Sequence, residues 1–282
     1  QLVLDLSRKE VCEYLIQTIN EILESAKIEY VKWDMNRSIS DVWSGALEKD
    51  RQGEALHRYV LGLYYIMDNI ILKHPEIIFC GCSGGGGRYD PAMLYYQPQM
   101  WCSDNTDAIS RLKIQFGTSF AYPVNALEAH VSVCPNHQTG RSVSLKTRGI
   151  VAMGGILGYE LDSTKLSEEE KEFCRKQVNF YKKNYPVIAE GDYYRLTNPY
   201  ENRSFTAWEH VTKNKKKALI SLVLTDKESN APQLYLRLKG LDENAFYRVE
   251  GHRGSFSGAL LMNAGIPVPP ELGEYDSVQF VL

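Results

Sequence analysis

The sequence predicts an α/β protein whose C-terminal third is all-β. Up to about residue 184, short apolar runs alternate with segments that repeat apolar residues every three or four positions, which is typical of βαβ units and a parallel sheet. After that point, short runs of alternating apolar residues recur about every ten positions between turn residues, which predicts an antiparallel β-sandwich.

The elements follow one another in a regular order. Apolar residues at helical spacing predict helices over 8–27, 52–74, 106–119 and 166–185. Short apolar runs before polar residues predict a strand end over 1–7 and strands over 28–34, 76–83, 99–105, 128–135 and 155–161. The strands predicted for the β-rich part are 192–198, 205–212, 217–226, 233–241, 245–251 and 277–282. The change of rhythm predicts two domains, 1–184 and 185–282.

The composition excludes several classes of protein. The 282 residues carry a formal net charge of -3, so no basic surface indicates a nucleic acid or an anionic membrane as partner. No apolar run reaches the roughly 18 residues that a membrane span requires. Six scattered cysteines are typical of a cytoplasmic enzyme, and Cys80 and Cys82 do not have the spacing of a zinc site.

Three segments place polar residues directly after predicted strands, where the functional groups of parallel α/β sheets gather. They are "VKWDMNRS" (31–38), "CGCSGGGGRYD" (80–90) and "MWCSDNTDA" (100–108). An isolated aspartate at such a point is usually a helix cap. Here Asp34 and Asp104 both lie close to a tryptophan in sequence, which favours a functional pair of carboxylates.

The four glycines at 84–87 leave two kinds of ligand to compare. A P-loop requires a Lys-Ser or Lys-Thr pair that this sequence does not have after its glycines, and Pro91 follows where a dinucleotide-binding motif would open a helix. Phosphate binding is therefore disfavoured, although a nucleotide-binding domain remains an alternative. A glycine floor beneath a sugar, flanked by two carboxylates, indicates glycoside hydrolysis.

The motifs "YVKWDMNRS", "CSGGGGRYD" and "MWCSDNTDA", followed by "RLKIQFGTSFAYP" and "AHVSVCPN", resemble glycoside hydrolase family 36, the α-galactosidases of the melibiase and raffinase type. The resemblance runs in order over about the first 160 residues. It implies that residues 1–184 form the C-terminal part of a (β/α)8 barrel, from the end of its third strand onward. The β-rich remainder resembles the small C-terminal domain of that family.

The resemblance also implies a role for each motif residue. Asp34 would be the nucleophile and Asp104 the general acid/base of a retaining mechanism, in which the two carboxyl groups stand about 5 to 5.5 Å apart. The residues expected to bind the galactose are Lys32, Trp33, Asn36, Cys82, Gly84 and Trp101. Those expected to support the site are Arg37, Arg88 and Asp90. No metal or organic cofactor is implied.

The expected substrates are oligosaccharides with terminal α-galactosyl units, such as melibiose and raffinose. Two alternatives are an α-N-acetylgalactosaminidase or transgalactosylating relative and a non-catalytic carbohydrate-binding fragment. A complete barrel needs about 250 residues, so we expect this chain to be a C-terminal portion that is inactive alone. Its expected partners are the missing N-terminal part and further copies of itself, with no nucleic acid and no membrane.

Overall fold

The computed structural model describes residues 3–282, which divide into two compact units with the boundary between residues 102 and 103. No helix among those described residues is long and apolar enough to cross a membrane. The predicted strand end at 1–7 is not observed over residues 3–7, and its first two residues lie outside the described part of the chain. The predicted domain boundary at 184/185 stays a prediction.

The first unit alternates helices with parallel strands, as the sequence predicts. Its helices are α1 (Lys9–Glu24), α2 (Ala55–Ile70) and α3 (Pro91–Tyr96). Its strands are β1 (Tyr30–Asp34), β2 (Ile78–Cys82) and β3 (Gln99–Trp101). They lie side by side in chain order, and both pairs are parallel. All three strands therefore end at the same edge, where their last residues and the following loops gather.

The second unit begins with the same alternation. Its first elements are α4 (Ala108–Thr118), β4 (Leu127–Ser132), α5 (Leu145–Ala152), β5 (Ile156–Glu160) and α6 (Glu168–Glu190). Strands β4 and β5 pair in parallel. Helix α6 continues past 184/185 with Pro186 inside its C-terminal part, and it ends at Glu190. Gly191 follows as its C-cap, where a Cβ would stand 2.2 Å from the carbonyl oxygen of Val187.

The β-rich remainder contains one four-stranded antiparallel sheet and two short pairs. The sheet has the order β13-β8-β7-β6 and comprises β6 (Asp192–Arg195), β7 (Phe205–Val211), β8 (Ala218–Leu224) and β13 (Ser277–Val281). The pairs are β9 (Tyr235–Leu236) with β12 (Ile266–Pro267), and β10 (Phe246–Tyr247) with β11 (Phe256–Ser257). A short helix, α7 (Gly258–Asn263), follows β11.

The long strands predicted over 233–241 and 245–251 are wrong in length, since only two residues of each pair with a neighbour. Their alternation nevertheless marks burial, because Leu236 and Leu238 are buried in the same core as Ile220 and Leu222. A period of two predicts which side chains face the core, and an extended segment can satisfy it without a hydrogen-bonded partner.

Candidate active site

Strand β1 presents Lys32 and Asp34 on one face. Exposure alternates along the strand, with Lys32 and Asp34 exposed and Val31 and Trp33 partly buried. In the parallel register with β2, Cys80 lies beside Lys32 and Cys82 beside Asp34. A cation, a carboxylate and a thiol therefore share one face at the end of the first two strands.

Trp33 is predicted to bind galactose, but the structure places it on the opposite face of β1. Its ring packs against Phe79, with 6.4 Å between the ring centroids. The reason is the period of two along a strand, which turns the middle residue of Lys-Trp-Asp away from its two neighbours. The geometry therefore does not group Trp33 with Lys32 and Asp34.

Trp101 completes the grouped face from β3. The parallel register of β2 and β3 pairs Cys80 with Gln99, and its continuation places Trp101 beside Cys82. The Trp101 side chain is buried, and the Lys32 ammonium nitrogen lies 5.3 Å from its ring centroid. A cation–π contact at this distance holds the lysine and the aromatic ring together.

The Cys82 thiol is neutral and adjacent to Asp34. The pKa of Cys82 is raised to about 11, with burial as the largest cause. The amide of Gly85 and the charge of Lys32 oppose this shift, while the hydrogen bond with the Asp34 carboxylate and the negative charge of that group add to it. A protonated thiol can donate a hydrogen bond to a carboxylate or to a sugar hydroxyl.

Asn36 links Asp34 to the glycine turn. Its amide nitrogen donates to Oδ2 of Asp34 at 2.9 Å, and its amide oxygen accepts from the backbone N–H of Gly84 at 2.7 Å. Asn36, predicted to bind substrate, is thus placed where it orients the carboxylate.

The glycine turn owes its residue type to backbone conformation. Gly84 and Gly85 have φ angles of +55° and +77°, a region that side chains other than glycine disfavour. A Cβ built on Gly84 would meet no protein atom within 4 Å, so the outer side of the turn is open. An exposed, side-chain-free turn next to a carboxylate leaves room for a bulky polar ring.

The predicted supporting residues brace this turn. Arg88 donates to the carbonyl oxygen of Arg37 at 3.1 Å and so ties the turn to the segment that follows β1. Asp90 accepts from the amides of Ala92 and Met93 at 2.9 Å and caps α3. The short helix α3 therefore follows the glycines although none was predicted there, because proline is well suited to the first position of a helix.

Asp104 is exposed in a loop of the second unit that precedes α4. The buried Arg111 donates to the carbonyl oxygen of Ser103 at 3.0 Å, and Gln138 donates to that of Asp104 at 2.9 Å. Asp107 caps α4 through the amide of Ser110. Sequence reasoning missed Arg111 and Gln138, since no local motif connects either residue with Asp104.

A carboxylate, an ammonium group, a thiol and a tryptophan lie at the ends of parallel strands, which is where the sites of parallel α/β enzymes are found. A family model described as Melibiase matches residues 1–191, and one described as the glycosyl hydrolase family 36 C-terminal domain matches residues 205–282. The chain belongs to glycoside hydrolase family 36, the melibiase family.

Curated relatives include two bacterial enzymes. The chain is 53% identical over 282 residues to the alpha-galactosidase AgaA of Geobacillus stearothermophilus, of which it covers 38%. It is 50% identical over 280 residues to the bifunctional alpha-galactosidase/sucrose kinase AgaSK of Mediterraneibacter gnavus, of which it covers 29%. The chain therefore spans less than two fifths of the length of these relatives.

Solved structures of AgaA superpose over the whole chain. One is a variant in complex with raffinose, with a TM-score of 0.97 at 52% identity, and the chain covers 39% of it. Another is a variant in complex with stachyose, with a TM-score of 0.97 at 53% identity and the same coverage. In each variant one of the substitutions replaces an aspartate. The arrangement of parallel strands followed by antiparallel sheets is thus that of a known glycoside hydrolase.

Proposed function

We propose that this chain carries the catalytic residues of a retaining α-galactosidase that acts on oligosaccharides with terminal α-galactosyl units. The observation that carries the proposal is the shared face of β1, β2 and β3, where Asp34 lies beside Cys82 and receives a hydrogen bond from Asn36. The names of the relatives support the reaction, and the raffinose and stachyose complexes of AgaA variants support the class of substrate.

Asp34 is the proposed nucleophile and Asp104 the proposed general acid/base. The two aspartates replaced in the raffinose and stachyose complexes are separated in the AgaA sequence by the same number of residues as Asp34 and Asp104 in this chain. Removing a catalytic carboxylate is a usual way to keep a substrate intact in a crystal, so the equal separation supports both assignments.

The reaction proceeds by two displacements at the anomeric carbon. The Asp34 carboxylate attacks that carbon while Asp104 gives its proton to the departing oxygen, so the glycosidic bond breaks and a galactosyl ester forms. Asp104, now ionised, takes a proton from water, whose oxygen displaces Asp34 and releases galactose with retained configuration. No electrons are exchanged with an external oxidant or reductant.

The other residues on this face have distinct proposed tasks. Lys32 places a positive charge near the sugar and is held by Trp101, whose ring offers an apolar surface. Cys82 donates a hydrogen bond through its neutral thiol. Gly84 keeps the turn open to the ring, and Trp33 supports β1 from the opposite face.

The finer description of the fold is also a proposal. We infer that residues 1–184 belong to a (β/α)8 barrel and residues 185–282 to a β-sandwich domain. The gap between the two family models, which end at 191 and resume at 205, supports a boundary near this point. We also propose a cytoplasmic location and assembly into homo-oligomers, as the sequence predicts.

The test uses two proteins: the chain alone, and a chimera of AgaA in which this chain replaces the matching segment of AgaA. Both are assayed on p-nitrophenyl α-galactoside, melibiose and raffinose, each against its Asp34→Asn variant. We expect the chimera to release galactose and the variant to be inactive. Activity that survives Asp34→Asn, or a folded chimera without activity, would contradict the proposal. Faster hydrolysis of an α-N-acetylgalactosaminide would exclude galactose as the preferred sugar.

A further inference from the structure

The loop that carries Asp104 is held on both sides of Asn105 by one side chain. The amide nitrogen of Gln138 donates to the carbonyl oxygen of Asp104 at 2.9 Å. The amide oxygen of Gln138 accepts from the backbone N–H of Thr106 at 3.0 Å. This pairing has the form of a short β-ladder in which a side-chain amide replaces the second strand.

Gln138 is itself held in a structured loop after β4. The buried Asn136 accepts from the backbone N–H of Gln138 at 3.0 Å and donates to the Thr106 hydroxyl at 2.9 Å. The backbone N–H of Asn136 donates to the carbonyl oxygen of Arg141 at 2.9 Å, and the carbonyl oxygen of Asn136 accepts from the N–H of Gly140 at 2.8 Å. The position of Gln138 is therefore fixed by its own loop, and Gln138 holds the loop of Asp104 together with Asn136 and Arg111.

The groups that Gln138 contacts lie near the surface, since Asp104 and Gln138 are exposed. Water can replace both hydrogen bonds when the side chain is removed, so the net loss of stability is small. Water does not impose a fixed geometry, however. The main consequence of losing Gln138 is a less well-defined position for the Asp104 carboxyl group.

We infer that Gln138 is a positioning residue for proton transfer by Asp104, an inference that rests on the proposed function. A general acid must lie within hydrogen-bond reach of the departing oxygen, and a displacement of about 1 Å can cost on the order of 100-fold in rate. Gln138 acts on Asp104 through the backbone and does not touch the reacting atoms.

The leaving group provides a readout that a purely structural role would not change. A dinitrophenolate departs without a proton, whereas the sugar hydroxyl released from melibiose requires one. The ratio of kcat/KM on melibiose to kcat/KM on dinitrophenyl α-galactoside therefore measures how well the acid is placed. Any loss of folded enzyme lowers both values equally and leaves the ratio unchanged.

The variants Gln138→Ala, Gln138→Glu and His137→Ala are made in the active chimera. Gln138→Ala should lower the ratio about 10- to 100-fold. Gln138→Glu keeps the acceptor for Thr106 but places a carboxylate oxygen against the carbonyl oxygen of Asp104 in place of the donor, and it should lower the ratio at least as much. His137, an exposed neighbour in the same loop, is the matched control and should leave the ratio unchanged.

Azide gives a second measurement, because it can attack the galactosyl-enzyme without a general base. Azide should raise kcat of Gln138→Ala on the dinitrophenyl substrate and leave kcat of the unsubstituted chimera, the parent, unchanged. Equal losses on both substrates, no loss on either, or the same change in His137→Ala would overturn the role of Gln138. If the parent chimera hydrolyses neither substrate, the proposed function fails before Gln138 is tested.

Discussion

Replacement of Asn36 by alanine removes the two hydrogen bonds that connect Asp34 with the glycine turn. The bond to the Asp34 carboxylate is 2.9 Å long, and the bond from the Gly84 amide is 2.7 Å long. The variant removes one of the hydrogen bonds that orient the Asp34 carboxylate, leaving that with the Cys82 thiol, and it removes an anchor of the turn. Since neither bond belongs to a helix or a sheet ladder, we expect the effect mainly on activity.

The size of the effect follows from the two bonds. A hydrogen bond to a charged group contributes about 1.5–3 kcal/mol and a neutral one about 0.5–1.5 kcal/mol. Because Asn36 is exposed, we take the lower end of each range, a total of about 2 kcal/mol. A loss of that size in transition-state stabilisation corresponds to a kcat/KM roughly 30-fold lower.

The assay measures kcat/KM on dinitrophenyl α-galactoside for Asn36→Ala, Asn36→Asp and Asn214→Ala in the chimera. Asn36→Asp should be impaired at least as strongly, because it places a second carboxylate beside Asp34. Asn214 accepts hydrogen bonds in the turn between β7 and β8, outside the candidate site, and serves as the matched control. A value for Asn36→Ala equal to that for Asn214→Ala would refute the reasoning.

Three further predictions concern single residues. Cys82 should resist alkylation by iodoacetamide at neutral pH because its thiol is buried and its pKa is raised to about 11, whereas the exposed Cys134 should react. Peptide mass spectrometry distinguishes the two labelled cysteines, and rapid labelling of Cys82 would contradict its assigned environment. Gly87→Ala should lower the melting temperature, since its Cβ would stand 2.6 Å from the backbone oxygen of Ser83. Gly53→Ala is the control and should have little effect, because a Cβ at Gly53 would meet no atom within 4 Å. Equal melting temperatures of the two variants would be inconsistent with the close backbone approach at Gly87. Burial raises the pKa of Glu209 to about 8, so the folded chain keeps a proton that the unfolded chain releases, and the contribution of Glu209 to the free energy of unfolding should fall from about pH 5 to about pH 8. Urea titrations should show this fall as a difference between the unsubstituted chain and Glu209→Gln, and identical slopes in the two would exclude a raised pKa.

The sequence predicted the ends of the strands better than the directions of the side chains that lie there. Apolar runs followed by polar residues located the strand ends, and the alternation along β1 placed Lys32 and Asp34 on one face. The same alternation turns Trp33 away, although its motif neighbours made it a candidate for substrate binding. Strand period is therefore a better guide to which motif residues can meet a ligand than their adjacency in the motif.

Other features depend on contacts that no local pattern contains. Gln138 reaches the Asp104 loop across 34 positions of sequence, and its "PNHQTG" segment carries no periodic signal. The helix at Pro91 was not predicted, because proline inside a helix usually breaks it. At the first position proline is favourable, and Asp90 before it supplies the cap. The strand predicted over 233–241 pairs with a neighbour at only two residues, although the alternation correctly marks Leu236 and Leu238 as buried.

The assignment of Asp34 as nucleophile is tested most directly by trapping the covalent intermediate. The active chimera is treated with a fluorinated galactosyl fluoride whose glycosyl-enzyme hydrolyses slowly, and the labelled peptide is sequenced by mass spectrometry. The proposed mechanism predicts one adduct, on the Asp34 carboxylate, that is lost in Asp34→Asn. An adduct on another residue of this chain, or an active enzyme that forms none, would contradict it.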